Sequence, residues 1–594
     1  MKNTKIAVID TMIDLNCTQL NLSAIEVDNR FCNDQDNYTS YPKGHGTAVC
    51  GIIQKYAPNA KIVLFPVSSS NDSSTLVKIL NYIYEKRICK IINLSLGFFG
   101  VGKKTTELHT VCQKLYSVGI LIVSAYDNQG LMSYPACFDE VIGVDTSENV
   151  KGNNFIWVEG SPINIICSAQ KKRVLWESRN KVYVKGNSFS VPYISSIIAE
   201  MPSSTNEPID VRNFLKKRAT SVQNLSSIPQ VHLKGNAINI SKAIIFPVND
   251  DTLPLIAFNN DCRFDLVGVY DYKYSSKIGK KISNIFDGSF DIDCDIKSYD
   301  DIEWENDFDT IILGKIDEVQ NSLQNDFINK LQVNCKNYGK SIFLLDDNIT
   351  ELLSENKTVV LNSLSSPMEA YPYALLGKKW VNSVFKICVA GSGMDGEKLF
   401  LQLQLKRALL NEGHNVGYLS THKTGFLLGA DRTFTYNKKQ YNVISENDKS
   451  FILNNFIHEI ELNDRDVIIS GLLSEVLPSN TLSPNPIIFL QGTFLYTLLP
   501  DIVILVVSID DNIRLIMRTI NMIRATVDAN IVCILVSTKK VSFRNGLTTV
   551  KSISGSNELL SFVKKIEIET GIMALELNEK SIGQVMKECL RYVK

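Results

Sequence analysis

Three residue types that together perform nucleophilic catalysis occur in separate parts of this chain. Ser188 follows Gly186 and precedes the run that starts with Val191 and Pro192. A serine just before an apolar helical run, with a proline in the first turn, is typical of a helix N-terminus. A hydroxyl at that place lies in a positive backbone field, which favours a developing oxyanion. Ser188 is therefore a candidate nucleophile, provided that the chain also supplies a base.

His45 and Asp10 are candidates for that base and for the acid that orients it. His45 is one of six histidines, lies between two glycines and opens a helix-like run. Asp10 follows the apolar residues 6–9, which are expected to form a buried strand. A rigid strand that ends in a carboxylate is a suitable support for an imidazole. Each pattern also occurs in proteins without such a site, so the inference depends on all three occurring together.

The segments around these residues resemble the catalytic motifs of subtilisin-like serine proteases, in that family's order of acid, base and nucleophile. Asn128, within residues 123–130, falls where this family keeps the asparagine of its oxyanion hole. Residues 91–97 resemble the strand with which the family pairs its peptide substrate. The resemblance covers residues 1–245. The catalytic residues that it implies are Asp10, His45, Ser188 and Asn128.

The same resemblance implies a peptide-binding cleft. Its candidate substrate-binding residues are Ser95, Leu96, Gly97, Tyr126 and Asp127. Tyr126 and Asp127 replace a small pair that lines the family's primary specificity pocket. We therefore predict either a narrowed pocket or, through the carboxylate, a preference for Lys or Arg before the scissile bond. Asn187 stands where the family usually has threonine and Ser190 where it has alanine, and both are small polar changes that the geometry is expected to tolerate.

Composition constrains the location and the partners of the protein. The chain has 62 basic and 63 acidic residues, which gives no electrostatic reason to expect nucleic acid or an anionic membrane as a partner. No apolar run is long enough for a membrane span. The first strand follows the N-terminus directly, so we expect neither a signal peptide nor an N-terminal propeptide. No aspartate-rich loop has ligand spacing strong enough to assign a calcium site, so no metal ligand is singled out, and calcium stays open by analogy with the family.

The 13 cysteines are scattered without short paired spacings. Buried reduced thiols are therefore a simpler interpretation than disulfides or zinc sites, and they favour a cytoplasmic protein. The cysteines that lie in apolar runs are Cys50, Cys167, Cys388 and Cys533.

The chain of 594 residues is too long for one core, and its pattern predicts three α/β domains. Residues 1–245 alternate strands and helices, as expected of a subtilisin-like domain with a parallel sheet. Residues 247–254 are rich in Asp and Pro and are predicted to form a linker. Residues 255–375 predict a small Rossmann-like α/β domain, and residues 380–594 predict a P-loop-like α/β domain.

A glycine-rich loop opens the third predicted domain. Residues 385–390 are expected to form a strand, followed by the loop 391–398 and a helix, a context in which backbone N–H groups bind phosphate. The candidate nucleotide-binding residues are Gly391, Gly393, Gly396, Lys398 and Asp466. Leu399 occupies the place of the hydroxyl residue that would hold magnesium. Two interpretations stay open: ATP or GTP with Mg²⁺ at this loop, or a degenerate loop kept for structure or for peptide contact.

Residues 255–594 resemble P-loop-bearing maturation proteins of bacterial, ribosomally made and modified peptides. The two resemblances together imply an intracellular serine endopeptidase that removes the leader of a precursor peptide and requires no cofactor. The C-terminal domains would then recruit the substrate or peptide-modifying enzymes. Two alternatives are a catalytically silent scaffold that binds the leader and a nucleotide-regulated maturation factor. The presence of all three candidate catalytic residues favours the protease.

Overall fold

The computed structural model describes most of the chain as two compact units. The residues that it does not describe are 1–3, 32–42, 68–72, 101, 178–180, 203–206, 226–239, 287, 317–320, 346–359, 363–373, 375–376, 394, 436–443, 473–474, 479–486, 545–546 and 594. The first unit comprises Met1–Gln230 and Leu375–Ser383, and the second comprises Val231–Ala374 and Val384–Lys594. Among the described helices, none combines the length and the apolar character needed to cross a membrane.

The first unit is built on one large sheet. Its strands are β1 (Lys5–Asp10), β2 (Ile25–Val27), β3 (Lys61–Pro66), β4 (Ile91–Leu94), β5 (Leu121–Ala125), β6 (Val141–Ser147), β7 (Phe155–Glu159), β8 (Ile165–Ser168), β9 (Lys172–Leu175), β10 (Lys181–Val184) and β11 (Ser221–Asn224). Nine of them form a sheet in the order β11-β7-β8-β6-β5-β4-β1-β3-β2, and β9 and β10 form a separate hairpin. Neighbouring strands of the sheet are parallel except for β7 and β8. The predicted parallel α/β architecture of this part of the chain is confirmed.

Helices cover both faces of this sheet. They are α1 (Gly44–Tyr56), α2 (Ser73–Lys86), α3 (Lys103–Ser117), α4 (Val191–Ala199) and α5 (Pro208–Arg218). Val8 of β1 packs in a core cluster with residues of α1 and α4, whereas its neighbour Ala7 packs in a second cluster with residues of α2 and α3. Successive side chains of a strand point to opposite faces, so a strand buried on both sides is a continuous apolar run. This burial explains why Asp10 follows an unbroken apolar segment.

The second unit contains two larger parallel sheets. The strands of the first are β12 (Lys242–Phe246), β13 (Asp265–Asp271), β14 (Lys297–Ser298), β15 (Thr310–Leu313), β16 (Ser341–Leu344) and β17 (Val360–Asn362). The strands that follow along the chain, which form the second sheet and a separate hairpin, are β18 (Phe385–Gly391), β19 (Val416–Ser420), β20 (Arg432–Thr433), β21 (Val467–Gly471), β22 (Ile502–Val507), β23 (Asn530–Val536), β24 (Lys539–Arg544), β25 (Leu547–Ser552) and β26 (Ala574–Glu576). The strand orders are β14-β13-β12-β15-β16-β17 and β20-β19-β21-β18-β22-β23-β26, and β24 and β25 form a hairpin.

The helices of the second unit connect these strands. They are α6 (Leu253–Ala257), α7 (Asn321–Asn337), α8 (Asp395–Asn411), α9 (Glu446–Glu461), α10 (Ile487–Leu498), α11 (Ile513–Thr526), α12 (Asn557–Thr570) and α13 (Glu579–Leu590). Cys388 and Ile387 of β18 lie in two different core clusters, so this sheet also is buried on both faces. The Rossmann-like and P-loop-like assignments of these two sheets stay predictions.

The predicted boundary at residue 245 differs from the structure. The strand Lys242–Phe246 does not close the first sheet but lies inside the second one, where it pairs with β13 and β15. The predicted linker 247–254 begins with a turn, in which the Thr252 hydroxyl donates to the Pro247 carbonyl at 2.7 Å, and its last two residues already belong to α6. The pattern of residues 242–246 indicates a buried strand but does not indicate which sheet the strand joins.

The interpretation of the cysteines as free thiols is confirmed for the described residues. The structure describes 12 cysteines, all free, and Cys32 lies outside the described residues. The four cysteines of the apolar runs are all buried. Burial raises the pKa of the Cys167 thiol to about 12, so this group stays protonated and unreactive at neutral pH.

Candidate active site

Asp10 lies at the carboxyl end of β1, which pairs with β3 and β4 inside the nine-stranded sheet. Its side chain is only 4% exposed. One carboxylate oxygen, Oδ1, accepts a hydrogen bond from the Thr11 backbone N–H at 2.7 Å. A buried carboxylate needs such donors, because desolvation would otherwise favour its protonated form. The strand end therefore holds the carboxylate in one orientation.

His45 is the second residue of α1, and the two glycines beside it allow the helix to approach its neighbours closely. A Cβ atom on Gly46 would lie 2.1 Å from the backbone oxygen of Thr11. A Cβ atom on Gly44 would lie 2.1 Å from the indole ring of Trp176. The Gly-His-Gly sequence is thus required by packing on both sides of the imidazole.

Ser188 lies in a single 3₁₀ turn, Asn187–Phe189, immediately before α4. Pro192 occupies the first turn of α4, as the sequence predicted. Gly186 precedes this turn with φ of +151°, a value that favours glycine. The hydroxyl of Ser188 is therefore placed at the beginning of a helix by a tight turn that its own neighbours specify.

The three side chains lie within hydrogen-bond distance of one another. His45 Nδ1 is 2.7 Å from Asp10 Oδ1, and His45 Nε2 is 3.1 Å from Ser188 Oγ. Burial lowers the pKa of His45, but the charge of Asp10 and its hydrogen bond act in the opposite direction, and the net pKa lies above the usual value. An imidazole between a carboxylate and a hydroxyl can take a proton from that hydroxyl and keep the resulting charge stabilised.

Asn128 is exposed and lies in the turn after β5. Its side-chain oxygen Oδ1 accepts the backbone N–H of Asn187 at 2.8 Å. Because Oδ1 is occupied in this way, the Nδ2 amide is the end of Asn128 that remains to donate to an oxyanion. The structure thus places Asn128 next to the candidate nucleophile, as the resemblance implied.

Asn187 connects the nucleophile turn to the rest of the sheet. Its Nδ2 donates to the backbone oxygens of Tyr126 and Asp127 at 3.0 and 3.1 Å, and to Asp145 Oδ1 at 2.8 Å. Its Oδ1 accepts from the Thr146 hydroxyl at 2.6 Å. The sequence predicts Asn187 only as a tolerated change and gives no indication of a role for Asp145. Their roles depend on contacts between distant segments, for which the sequence holds no local signal.

Residues 95–97 continue directly from β4 towards the nucleophile. The hydroxyl of Ser95 donates to the Ser188 backbone oxygen at 3.1 Å and accepts from the Asn93 amide at 3.3 Å. Leu96 is half-buried and packs against the core, whereas Gly97 is exposed. A Cβ atom on Gly97 would lie 3.0 Å from Ser133. Ser95 thus ties this segment to the backbone of Ser188, and Gly97 leaves part of it exposed.

Tyr126 and Asp127 differ from one another in their surroundings. Tyr126 is 2% exposed and packs in a small cluster with Met132, Ala136 and Ile163. Its side chain is therefore packed in the interior, and a pocket narrowed by its bulk stays a prediction. Asp127 is partly exposed, and its Oδ1 accepts the Gln129 backbone N–H at 2.6 Å, so a carboxylate remains at the edge of the site.

The glycine-rich loop of the second unit is only partly arranged as predicted. Gly391 and Gly393 approach the backbone and side chain of Val506 so closely that a Cβ atom would clash. Lys398 is 1% exposed, and its ammonium donates back to the Gly391 carbonyl at 3.3 Å. Gly396 lines a cavity of about 1200 Å³ and has open space where a Cβ would be.

Asp466 lies away from this loop, which corrects its grouping with the glycines. Parallel pairing places Phe385 beside Val467, so Asp466 is at the edge where β18 begins rather than where it ends. Its Oδ2 accepts the Asn415 backbone N–H at 2.8 Å. The carboxyl ends of parallel strands share one edge, and Asp466 precedes its strand. Among the described residues, no group of three or more His, Cys, Asp or Glu side chains could hold a metal ion.

Known proteins share features with the first unit. A thermophilic serine proteinase of Bacillus sp. (strain AK1) is 25% identical over 263 residues, which is 41% of this chain and 62% of that protein. Subtilisin E of Bacillus subtilis (strain 168) is 27% identical over 244 residues, which is 37% of this chain and 62% of that protein. The match thus spans less than two thirds of either relative.

A solved structure of a lanthipeptide protease is 17% identical, with a TM-score of 0.31, and covers 36% of this chain and 79% of that one. The model of the subtilase family matches residues 1–231, the stretch that contains Asp10, His45, Asn128 and Ser188. Residues 1–231 of this chain are a subtilase domain.

Proposed function

We propose that the first unit is a serine endopeptidase. The observation that carries this proposal is the pair of hydrogen bonds at His45, 2.7 Å to Asp10 and 3.1 Å to Ser188. A lone serine hydroxyl is a weak nucleophile, and an adjacent oriented base is what activates it. The subtilase family match of the same residues supports the same reaction class.

In the proposed reaction, Ser188 Oγ attacks the carbonyl carbon of a peptide bond while its proton passes to His45 Nε2. Asp10 holds the imidazole by its Nδ1–H and stabilises the imidazolium. The carbonyl oxygen becomes an oxyanion, to which the Asn128 amide and the Ser188 backbone N–H donate. Expulsion of the amine takes the proton from His45, and water then releases the acyl group by the same route. No step requires a metal or a cofactor.

The proposed substrate is an extended, flexible peptide segment. The backbone of Ser95 and Gly97 runs beside Ser188, where a peptide can add as a further strand. A folded domain does not offer an extended segment of this kind without local unfolding.

The narrower form of the proposal is removal of the leader from a ribosomally made, modified peptide, with the second unit recruiting the precursor or its modifying enzymes. Free thiols in the described residues support the narrower proposal of a cytoplasmic location.

Nucleotide binding in the second unit is a separate proposal. Gly396 and Ser392 line the cavity at the start of α8, which supports binding of a phosphate group there. The burial of Lys398 argues against its use as the phosphate-contacting lysine in this conformation. Titration of the unaltered chain and of Lys398→Met with ATP and with GTP tests this proposal. Equal nucleotide affinity of the two proteins would show that Lys398 takes no part in binding.

A fluorophosphonate probe tests the protease proposal. The unaltered chain is expected to be labelled, whereas Ser188→Ala is not. Ser196→Ala is the matched control, because Ser196 lies in the same α4 but is buried and donates only to the Pro192 carbonyl at 2.6 Å. Ser188→Ala is also expected to lose the ability to cleave unstructured peptides. A chain that binds leader peptides but is neither labelled nor cleaves them would instead be the catalytically silent scaffold.

A further inference from the structure

The first unit contains a short segment from far along the chain. We call residues 377–383 the return segment, because the chain comes back to the first unit there. It lies outside the subtilase match, which covers residues 1–231. The Lys379 N–H donates to the Gly130 carbonyl at 3.1 Å, and the Lys379 carbonyl accepts from the Met132 N–H at 2.8 Å. The return segment thus pairs with the loop that follows Asn128.

Two side chains of the return segment are placed inside the unit. The ring of Trp380 contacts Tyr134, with centroids 5.8 Å apart. Lys378 is 5% exposed, and its ammonium lies 3.0 Å from Asp145 Oδ2 and 5.3 Å from the centre of the Tyr126 ring. An ammonium as deeply buried as this one is stable only with a charged or polar partner, and Asp145 provides it.

The contact between Lys378 and Asp145 continues to the candidate oxyanion site. Asp145 Oδ1 accepts from Asn187 Nδ2 at 2.8 Å, and the Asn187 N–H donates to Asn128 Oδ1 at 2.8 Å. Four residues are therefore linked in series, from the return segment to Asn128. Without the ammonium, the half-buried carboxylate of Asp145 would be left with Asn187 and would be drawn towards water, and Asn187 would move with it.

We propose that Lys378 is a positioning residue that, through Asp145 and Asn187, fixes the orientation of the Asn128 amide. This inference rests on the proposed function, because the orientation matters only where an oxyanion forms. The first unit then needs a segment that the family match does not include. Residues 1–231 alone lack the ammonium that the site uses.

The test uses the full chain with Lys378→Met, which removes the ammonium and keeps the length and apolar character of the side chain. The control is Lys379→Met in the same segment, because the backbone of Lys379, which the substitution retains, makes the pairing with the loop. Active sites are titrated with a fluorophosphonate, so that kcat refers to folded, competent molecules only. KM for an unstructured peptide is measured with the same samples.

We expect Lys378→Met to lower kcat per titrated site about tenfold, since small misplacements of catalytic groups are costly, and to change KM by less than about twofold. Lys379→Met is expected to match the unaltered chain. The double variant Asp145→Asn, Lys378→Met is expected to have a kcat no lower than that of the less active of the two single variants, because both substitutions act through Asn187. Equal kcat per site in Lys378→Met and the unaltered chain would overturn the proposal. A loss of kcat in Lys379→Met as large as that in Lys378→Met would overturn it as well.

A second measurement does not depend on turnover. In full-length protein labelled with ¹⁵N-asparagine, the side-chain amide signal of Asn128 is identified as the one lost in Asn128→Leu. This signal is expected to shift or broaden in Lys378→Met and to stay unchanged in Lys379→Met. An unchanged signal in Lys378→Met would refute the positioning role. If the unaltered chain shows no turnover, the protease proposal fails, while this signal still decides whether Lys378 orients Asn128.

Discussion

The backbone N–H of Asn187 donates to the side-chain oxygen of Asn128 at 2.8 Å, directly beside the nucleophile turn. This bond determines which end of the Asn128 amide is free to donate. An amide with its oxygen turned towards the substrate would repel an oxyanion rather than bind it. Asn187, the neighbour of Ser188 in sequence, therefore also orients the amide of Asn128 in the turn after β5.

Asn128→Leu is expected to lower kcat by about 10²–10³-fold with little change in KM, because an oxyanion donor acts mainly in the transition state. Steady-state kinetics with an unstructured peptide measure both constants. Gln129→Ala is the control, since Gln129 is the exposed neighbour in the same turn. A loss in kcat for Gln129→Ala as large as that for Asn128→Leu would assign the effect to the turn and not to the amide.

The acid limb of the pH profile of kcat/KM is expected to report the pKa of His45. The base works only when neutral, so kcat/KM rises as pH increases through the pKa of His45, which lies above its usual value. Asp10→Asn removes the charge that raises this pKa, so the limb moves to lower pH, and the plateau falls by about 10⁴-fold because the imidazole loses its orienting acid. Rates measured between about pH 5 and 9 test this. A limb at the same pH in both proteins would contradict the assignment.

Gly46→Ala is expected to destabilise the first unit by about 1–3 kcal/mol, because its Cβ would meet the Thr11 backbone at 2.1 Å. Gly51→Ala in the same helix is the control. There the nearest atom belongs to the flexible Leu175 side chain, 3.0 Å away, and can move. Denaturant unfolding of both variants measures the difference. Equal stability of the two would show that α1 can shift away from β1.

Asp127→Gly is expected to reduce a preference for Lys or Arg before the scissile bond. The partly exposed carboxylate, which the Gln129 N–H already orients, would attract a basic side chain. Cleavage of a peptide library by the unaltered chain and by the variant measures the preference. A preference for large apolar residues that Asp127→Gly leaves undiminished would remove this role.

Local patterns in the sequence predict the elements on which the candidate catalytic residues lie. An apolar strand ending in Asp10, two glycines around His45 and a proline after Ser188 are features of neighbouring residues, and the structure has each element where expected. Contacts between distant segments leave no such pattern. Asp145 and Lys378 look like ordinary charged residues, and Lys378 falls in a stretch expected to separate two domains.

The wrong expectations have the same origin. The boundary at residue 245 is wrong because residues 242–246 form a strand of the second unit, and hydrophobicity does not show which sheet a strand joins. The sequence predicts Asp466 as a nucleotide-binding residue together with the glycine-rich loop, and only the parallel register shows that it lies at the other edge. The burial of Tyr126 is a separate case, a finding that follows from packing with Met132 and Ile163, which the sequence does not place next to it.

The return segment has a consequence for the timing of biosynthesis. Ser188 and His45 leave the ribosome long before Lys378, and the first unit is completed only when residues up to Ser383 have emerged. A nascent chain that ends before this point holds Ser188 and His45, but not the Lys378 ammonium beside Asp145. The order of synthesis would in this way delay full proteolytic competence until most of the polypeptide exists.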